Sequence, residues 1–514
     1  MSLLGVILAS LIIILYLIYY ISRRKFDYWA KRKVPHLKPL PIFGNFKDYI
    51  LHRRYFPEIT RDICEQFPDE PYVGCFFGTE PALIVKDPEY IKLVTTKDFY
   101  YFNSRAVAKY TDKEITTQNL FFTYGDRWRL IRQNMTPLFT SVKMKNMFPL
   151  IAKCATALDS WLTEEINESS TINTRNIMGS YTMDCIGSCF FGVDTNTMSR
   201  SSGINPFKIM GDKIFEATLI SGLKQVWRPV WPAIFYGLRF KFVEEAVTVF
   251  FHKLLTDVFA SRNYKPSKRN DFIDLILSLK KEKYVTGDSI TNMKTGENKK
   301  TVLEVDDEFL VSNCIVLFAA GYETSSTSLS YALYELAKNE EAQAKAIKDV
   351  DNYWIRYNEI SYECISEAMY LDACIDETLR LYPVLGVITR EVMEEYTLPS
   401  GVQLDKGVRV HIPVYYLHHN PDYFPDPEEF KPERFYGETR QEIIPYTYIP
   451  FGEGPRICIG LRFAKMQMLA GLLTILKKYR VELAEGMPRS LRFEPKSMTA
   501  QPKGKIWLKF IPRK

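Results

Sequence analysis

"FGEGPRICIG" occupies residues 451–460 and sets one cysteine, Cys458, among three glycines, a proline and an arginine. A cysteine ligates a metal as its thiolate, and a thiolate needs partial positive charge around it. Gly452, Gly454 and Gly460 admit backbone turns that a side chain would block, and they let the main chain approach a flat partner closely. The segment that follows, "LRFAKMQMLAGLLTILKKY" (461–479), has helical periodicity, so the dipole at its N-terminus favours an anion at Cys458. A free core cysteine is the plain alternative. It leaves the crowding of glycine, proline and arginine unexplained.

Working outward, the chain has 514 residues, of which 46% are hydrophobic and 14% aromatic, including 33 Phe and 32 Tyr. That is enough to fill a large core and still wall a cavity with apolar side chains. The net charge of +6 is too dilute over this length for nucleic-acid binding, and no basic run lies beyond the N-terminal flank. The nine cysteines form no CxxC pair and the six histidines no HExxH motif. An odd, dispersed set of thiols reads as reduced, against a secreted disulfide protein.

Residues 3–21, "LLGVILASLIIILYLIYYI", carry no charged side chain, and Arg23, Arg24 and Lys25 follow directly. As a helix they would reach about 28 Å, close to the thickness of a bilayer's hydrocarbon core. The expectation is a membrane anchor over 1–22 with its C-terminal side in the cytosol. A cleaved signal peptide would want a basic leading region and a small-residue cleavage site, and neither is present. Pro35, Pro39 and Pro41 predict a stiff, basic hinge over 23–45, with the working domain over 46–514. Within it, strand-like runs near 72–85 and 505–511 flank a mainly helical stretch from about 125 to 385. The polar segment 280–301 reads as an exposed loop. The fold class is mainly α with a minor β component.

The decapeptide resembles the haem-binding loop of the cytochrome P-450 superfamily, F-x-x-G-x-R-x-C-x-G, at every fixed position. Further patterns follow in the order that family keeps. "AAGYETSS" (319–326) resembles its oxygen-binding helix, "ETLR" (377–380) with "PERF" (432–435) its buried Glu–Arg–Arg cluster, and Trp128 with Arg132 its W-x-x-x-R pair. The chain is most similar to the microsomal insect clade called family six, whose members metabolise xenobiotics.

The resemblance implies a cytochrome P-450 fold behind a single-pass anchor in the endoplasmic reticulum membrane. It implies haem b with Cys458 as axial iron ligand, held by Trp128, Arg132, Arg390 and Arg456 and bordered by Phe451, Gly452, Ala320 and Gly321. Thr324 and Glu323 would deliver protons, while Glu377, Arg380 and Arg434 would specify the fold. The implied reaction inserts one atom of O2 into small lipophilic substrates such as plant toxins or insecticides. NADPH electrons would arrive through NADPH–cytochrome P-450 reductase, with cytochrome b5 as a further donor. Arg127, Arg129, Lys143 and Lys145 offer a basic patch for the reductase, or a merely solvated cationic face. By family position the substrate pocket would draw on Phe121 and Phe122, on the stretch 315–320 with Ile315 and Phe318, on Val384, Leu385 and Ile388, and on Met498 and Thr499. A biosynthetic role on a lipid, hormone or pheromone precursor is the alternative. Haem-thiolate isomerisation of peroxides and a non-enzymatic haem or lipid binder are further rivals. The stretch 226–237 could meet lipid or pack as a buried loop.

Overall fold

The computed structural model describes residues 9, 12, 13, 16, 19, 20, 23–105, 107–199, 205–267 and 271–513. The expected anchor, 1–22, therefore falls almost wholly outside the described residues. Among those described, no helix is long and apolar enough to cross a membrane.

The helices used below are α1 (Gly125–Met135), α2 (Ser141–Glu168), α3 (Thr174–Ile186), α4 (Pro206–Phe215), α5 (Leu219–Val230), α6 (Glu245–Ser261), α7 (Asp307–Lys338), α8 (Glu340–Tyr357), α9 (Met369–Leu381) and α10 (Leu461–Lys478). The strands are β1 (Tyr72–Phe77), β2 (Glu80–Val85), β3 (Thr171–Asn173), β4 (Tyr284–Asp288), β5 (Lys300–Glu304), β6 (Ile388–Glu391), β7 (Tyr396–Thr397), β8 (Gln403–Leu404), β9 (Arg409–Ile412), β10 (Tyr479–Leu483) and β11 (Trp507–Pro512). The molecule is mainly helical with small sheets, as its sequence predicts.

α7 runs through the core. Asp306 caps it by accepting from the Phe309 amide (2.7 Å). Its mid-helix hydroxyls are satisfied internally: Ser326, Ser328 and Ser330 donate back to carbonyls of their own helix, so burying them costs little. α3 and α10 are tied to it by buried bonds. Thr182 Oγ1 donates to the Tyr322 carbonyl (3.0 Å), Tyr181 to the Gln467 carbonyl (2.9 Å), and Gln467 Nε2 to the Gly321 carbonyl (3.0 Å). Gly321 is needed there, because a Cβ would sit 2.3 Å from Ile186 Cδ1.

The main sheet has the order β1-β2-β9-β6, with β2 and β9 parallel and the other pairs antiparallel. Every residue of β1 and β9 is buried, which suits the apolar sequence of β1, while β9 also buries Arg409 and His411. The proline stretch lies extended along this sheet. The Gly74 amide donates to the Pro35 carbonyl (2.8 Å), and buried Trp29 donates to the Cys75 carbonyl (2.8 Å). A second sheet has the order β10-β11-β3.

Residues 280–301 differ from the expected loop. β4 and β5 pair as a hairpin, Tyr284 opposite Glu304 and Asp288 opposite Lys300, and it packs on α1. Gln133 and Asp126 of α1 hold it, accepting from the Asp288 and Ile290 amides at 3.0 and 2.6 Å. Its polar sequence hid it because the anchoring is by hydrogen bonds and only Val285 of β4 is buried. The hairpin also reshapes the basic patch. Arg129 is mostly buried and 3.7 Å from Asp288, Lys145 is 3.4 Å from Glu363, and the Arg127 Nε is buried.

Around 219–240 the chain faces both ways. Trp227 and Trp231 pack against a core cluster, while Leu219, Ile220, Ile234 and Leu238 are exposed.

Candidate active site

The cysteine loop is shaped by its glycines. Gly454 has φ +72°, and a Cβ there would lie 2.0 Å from the Thr95 carbonyl oxygen. The turn directs the Cys458 amide onto the Phe451 carbonyl (2.9 Å) and leaves the sulfur free. Among the described cysteines only Cys458 is exposed, and what it is exposed to is an internal cavity of about 440 Å³. Burial raises the Cys458 thiol pKa, while the Gly460 amide, Arg132 and Arg105 act to lower it.

Trp128 and Arg132 stand one turn apart on α1. Arg132 Nη1 donates to the Ile457 carbonyl (2.7 Å), which stitches the helix to the cysteine loop. The Arg456 guanidinium lies 4.6 Å over the Trp128 ring and donates to the Phe121 (3.3 Å) and Thr123 carbonyls. Arg390, on β6, donates only to its neighbour's carbonyl, that of Thr389 (3.0 Å).

A fourth arginine, Arg105, escaped the sequence reading. It donates to the Phe121 carbonyl (2.9 Å) and stacks 4.1 Å from that ring. It sits in irregular chain where neither period nor motif marks it, and only the tertiary fold brings it to the cavity.

Burial pulls Arg105 down to about 10, Arg390 to about 9, and Arg456 far below its ordinary value. Repulsion among the arginines adds to the effect. No carboxylate offsets these three, and the Nε atoms of Arg390 and Arg456 are buried without a partner. Buried unpaired cations are costly, so the arrangement calls for a polyanion.

Above the cysteine, α7 turns Val316, Leu317, Ala320, Gly321 and Thr324 toward the cavity. Thr324 Oγ1 donates to the Ala320 carbonyl (2.7 Å), the back-bond expected of a threonine in a helix. Glu323 is a third of a turn away and faces elsewhere. Its Oε1 accepts from Arg175 (2.8 Å), Gln501 (2.7 Å), Thr327 (3.2 Å) and Thr499 (3.4 Å). Burial nonetheless raises its pKa, against the pull of Arg175.

Phe121, Phe122, Val384, Leu385 and Ile388 line the cavity as expected by position, together with Phe451 and Gly452. Three expected pocket residues do not. Ile315 is buried in the helical core, and Phe318 packs against Phe191 and Phe251 on the far side of α7. Thr499 turns to Glu323, while Met498, expected beside it, does line the cavity together with Ser497. A helix buried on all sides offers no polar face by which to orient it. That leaves the cavity-facing side of α7 unmarked at Ile315 and Phe318, while Thr499 lies in irregular chain.

Glu377, Arg380 and Arg434 do come together, away from the cavity. Arg380 is bidentate to Glu377 (2.8 Å twice) and also reaches the His418, Pro427 and Glu429 carbonyls. Arg434 Nε is 3.5 Å from Glu377.

These residues fit a flat, iron-bearing macrocycle with acidic edge groups. Among the described residues, no three His, Cys, Asp or Glu side chains could hold a metal together. Cys458 therefore suits a metal whose other ligands come with it. The unpaired arginines supply the cations that the macrocycle's carboxylates require.

The comparisons agree. A family model for cytochrome P-450 matches residues 34–510. Cytochrome P-450 6B7 of Helicoverpa armigera is 35% identical over 511 residues, covering 99% of this chain and 98% of its own. Cytochrome P-450 6B1 of Papilio polyxenes is 34% identical, with 99% of each chain covered. Cytochrome P-450 6a2 of Drosophila melanogaster is 33% identical, over 98% of this chain and 99% of its own.

Proposed function

The chain belongs to the cytochrome P-450 monooxygenase family, and on that premise we propose that it oxidises small lipophilic xenobiotics with O2. Its electrons would come from NADPH through a reductase, with cytochrome b5 as a further donor. The observation that carries this reading is the position of Cys458, the one cysteine open to a cavity ringed by unpaired arginines.

Cys458 would hold haem b there through its thiolate, and the group would supply O2 activation and oxygen transfer. Arg105, Arg132, Arg390 and Arg456 would hold its carboxylates, and Trp128 backs Arg456. The Gly460 amide, Arg132 and Arg105 favour the thiolate, against the burial that raises the thiol's pKa. Thr324 presents its hydroxyl to the cavity, where it holds a water and passes a proton. Glu323 acts through Arg175 and the residues it bonds, as a positioning residue rather than as a direct proton donor. Phe121, Phe122, Val384, Leu385 and Ile388 exclude bulk water and favour apolar substrates.

The domain organisation is an anchor over 1–22, a basic proline hinge over 23–45 and the catalytic unit over 46–514, on the cytosolic face of the endoplasmic reticulum. Exposed Leu219, Ile220, Ile234 and Leu238 give that unit an apolar patch suited to lipid.

The test is the carbon-monoxide difference spectrum of the reduced protein, with turnover of a lipophilic substrate by the reductase and NADPH. The wild type should show the thiolate-type band and Cys458→Ser should lose it. A wild type without the band sinks the proposal.

A further inference from the structure

The cavity holds a fifth arginine with no part in gripping the cofactor. Arg228, on α5, is 5% exposed and lines the wall together with Gln225, Phe122 and Phe242. Its guanidinium lies between two rings, 4.8 Å from Phe122 and 5.1 Å from Phe242, and its Nε donates to the Tyr236 hydroxyl (2.8 Å). Its Nη2 is buried with no partner.

Glu114 is the acid in its surroundings, and it is already engaged. One carboxylate oxygen accepts from the Phe242 amide (3.0 Å), the other from the Val243 amide (3.0 Å) and Thr116 Oγ1 (2.8 Å). Among the described residues, none places a carboxylate in ion-pair contact with Arg228. Ring faces attract a cation but do not replace the water it gave up. Arg228 is also set apart from the cofactor-gripping arginines. Arg105 and Arg456 share the Phe121 carbonyl, the Phe121 ring meets Phe122 edge-on (4.9 Å), and Arg228 lies beyond Phe122.

We infer that Arg228 is an anchoring site for the carboxylate of an amphiphilic substrate, a lipophilic acid whose apolar body lies along Phe121, Phe122 and Val384. The inference deepens the proposed function and rests on it. A planar guanidinium on the cavity wall, flanked by rings and without a carboxylate partner, can take a ligand carboxylate while the aromatic walls take the carbon chain.

The experiment uses holoprotein whose carbon-monoxide band is first verified, so that loss of the proposed function is seen separately. Binding of dodecanoate and of dodecan-1-ol is then measured by titrating the haem absorption and, independently, the tryptophan fluorescence. Wild type should bind dodecanoate more tightly than the alcohol. Arg228→Leu should weaken dodecanoate roughly ten- to a hundredfold and leave the alcohol nearly unchanged, the scale of one charged hydrogen-bonded contact. Arg228→Lys should keep part of the preference. If Arg228→Leu fails to hold haem, Arg228→Gln, which can still bond Tyr236, carries the same expectation. Equal binding of acid and alcohol by the wild type overturns the inference, as does equal weakening of both ligands in the variant.

Discussion

Gly452 and Gly454 share a left-handed backbone, with φ +76° and +72°, yet their surroundings differ. A Cβ on Gly452 would meet nothing nearer than 3.8 Å, whereas one on Gly454 would strike the Thr95 carbonyl. Gly452→Ala should therefore cost only the backbone preference, about 1 kcal/mol. Gly454→Ala must also push the loop off Thr95, adding roughly 1–3 kcal/mol. Thermal melts of the two variants should separate them, with cofactor retention falling in Gly454→Ala alone. His411 makes a second prediction at this scale. It sits among Phe46, Phe56 and Phe77 with a buried, unpartnered Nδ1, and burial lowers its pKa from 6.5 to about 3. A depressed folded-state pKa contributes stability that is present above 6.5 and is lost as pH falls toward 3. Replacing His411 with Phe should flatten the drop in melting temperature between pH 7.5 and 5, a window of roughly 1.4 kcal/mol per proton and pH unit below the unfolded pKa. An unchanged drop would mean that other groups govern acid lability.

At the scale of elements, the β4–β5 hairpin depends on α1 more than on itself. Asp126 Oδ1 accepts from both the Ile290 amide and Ser289 Oγ (2.8 Å). Asp126→Ala should loosen the hairpin by about 1–3 kcal/mol, the cost of orphaning buried donors. Limited proteolysis should then cut within 289–299, where the wild type resists. Nothing in the sequence pointed to this, because a strand held by polar side chains has neither apolar alternation nor a turn signature. α1, α7 and α10 were legible by contrast, since long periodic runs betray helices directly. Motif spacing likewise placed Cys458, Trp128, Arg132, Arg390, Arg456 and Thr324 around one cavity. What period could not supply was rotation about the axis of α7, so Ile315 and Phe318 were assigned the wrong side. Arg105 and Arg228 were invisible for a related reason. Each becomes meaningful only through burial without a counter-ion, which is a property of the folded chain.

For the whole molecule, the fully buried Glu377–Arg380 pair joins α9 to carbonyls at 418, 427 and 429 and to the Lys431 amide (2.8 Å). Glu377→Ala leaves the guanidinium buried and uncompensated, which costs roughly 3–5 kcal/mol. Urea denaturation should show that loss without a shift in the wavelength of the carbon-monoxide band in whatever fraction folds. A shifted band would give Glu377 a role at the cofactor that its position does not suggest. The segment after α10 reaches further still. Gln501 Nε2 bonds both the Phe215 carbonyl of α4 (3.2 Å) and Glu323, the Ala500 amide bonds the Val384 carbonyl (2.9 Å), and β11 lies between β10 and β3. These residues are translated after every element they bridge. The pocket's wall beside Val384 and the bond network of Glu323 thus stay unfinished on the ribosome until residues 499–501 have emerged. Closure of the pocket is accordingly set by the arrival of this last segment and follows the synthesis of Cys458.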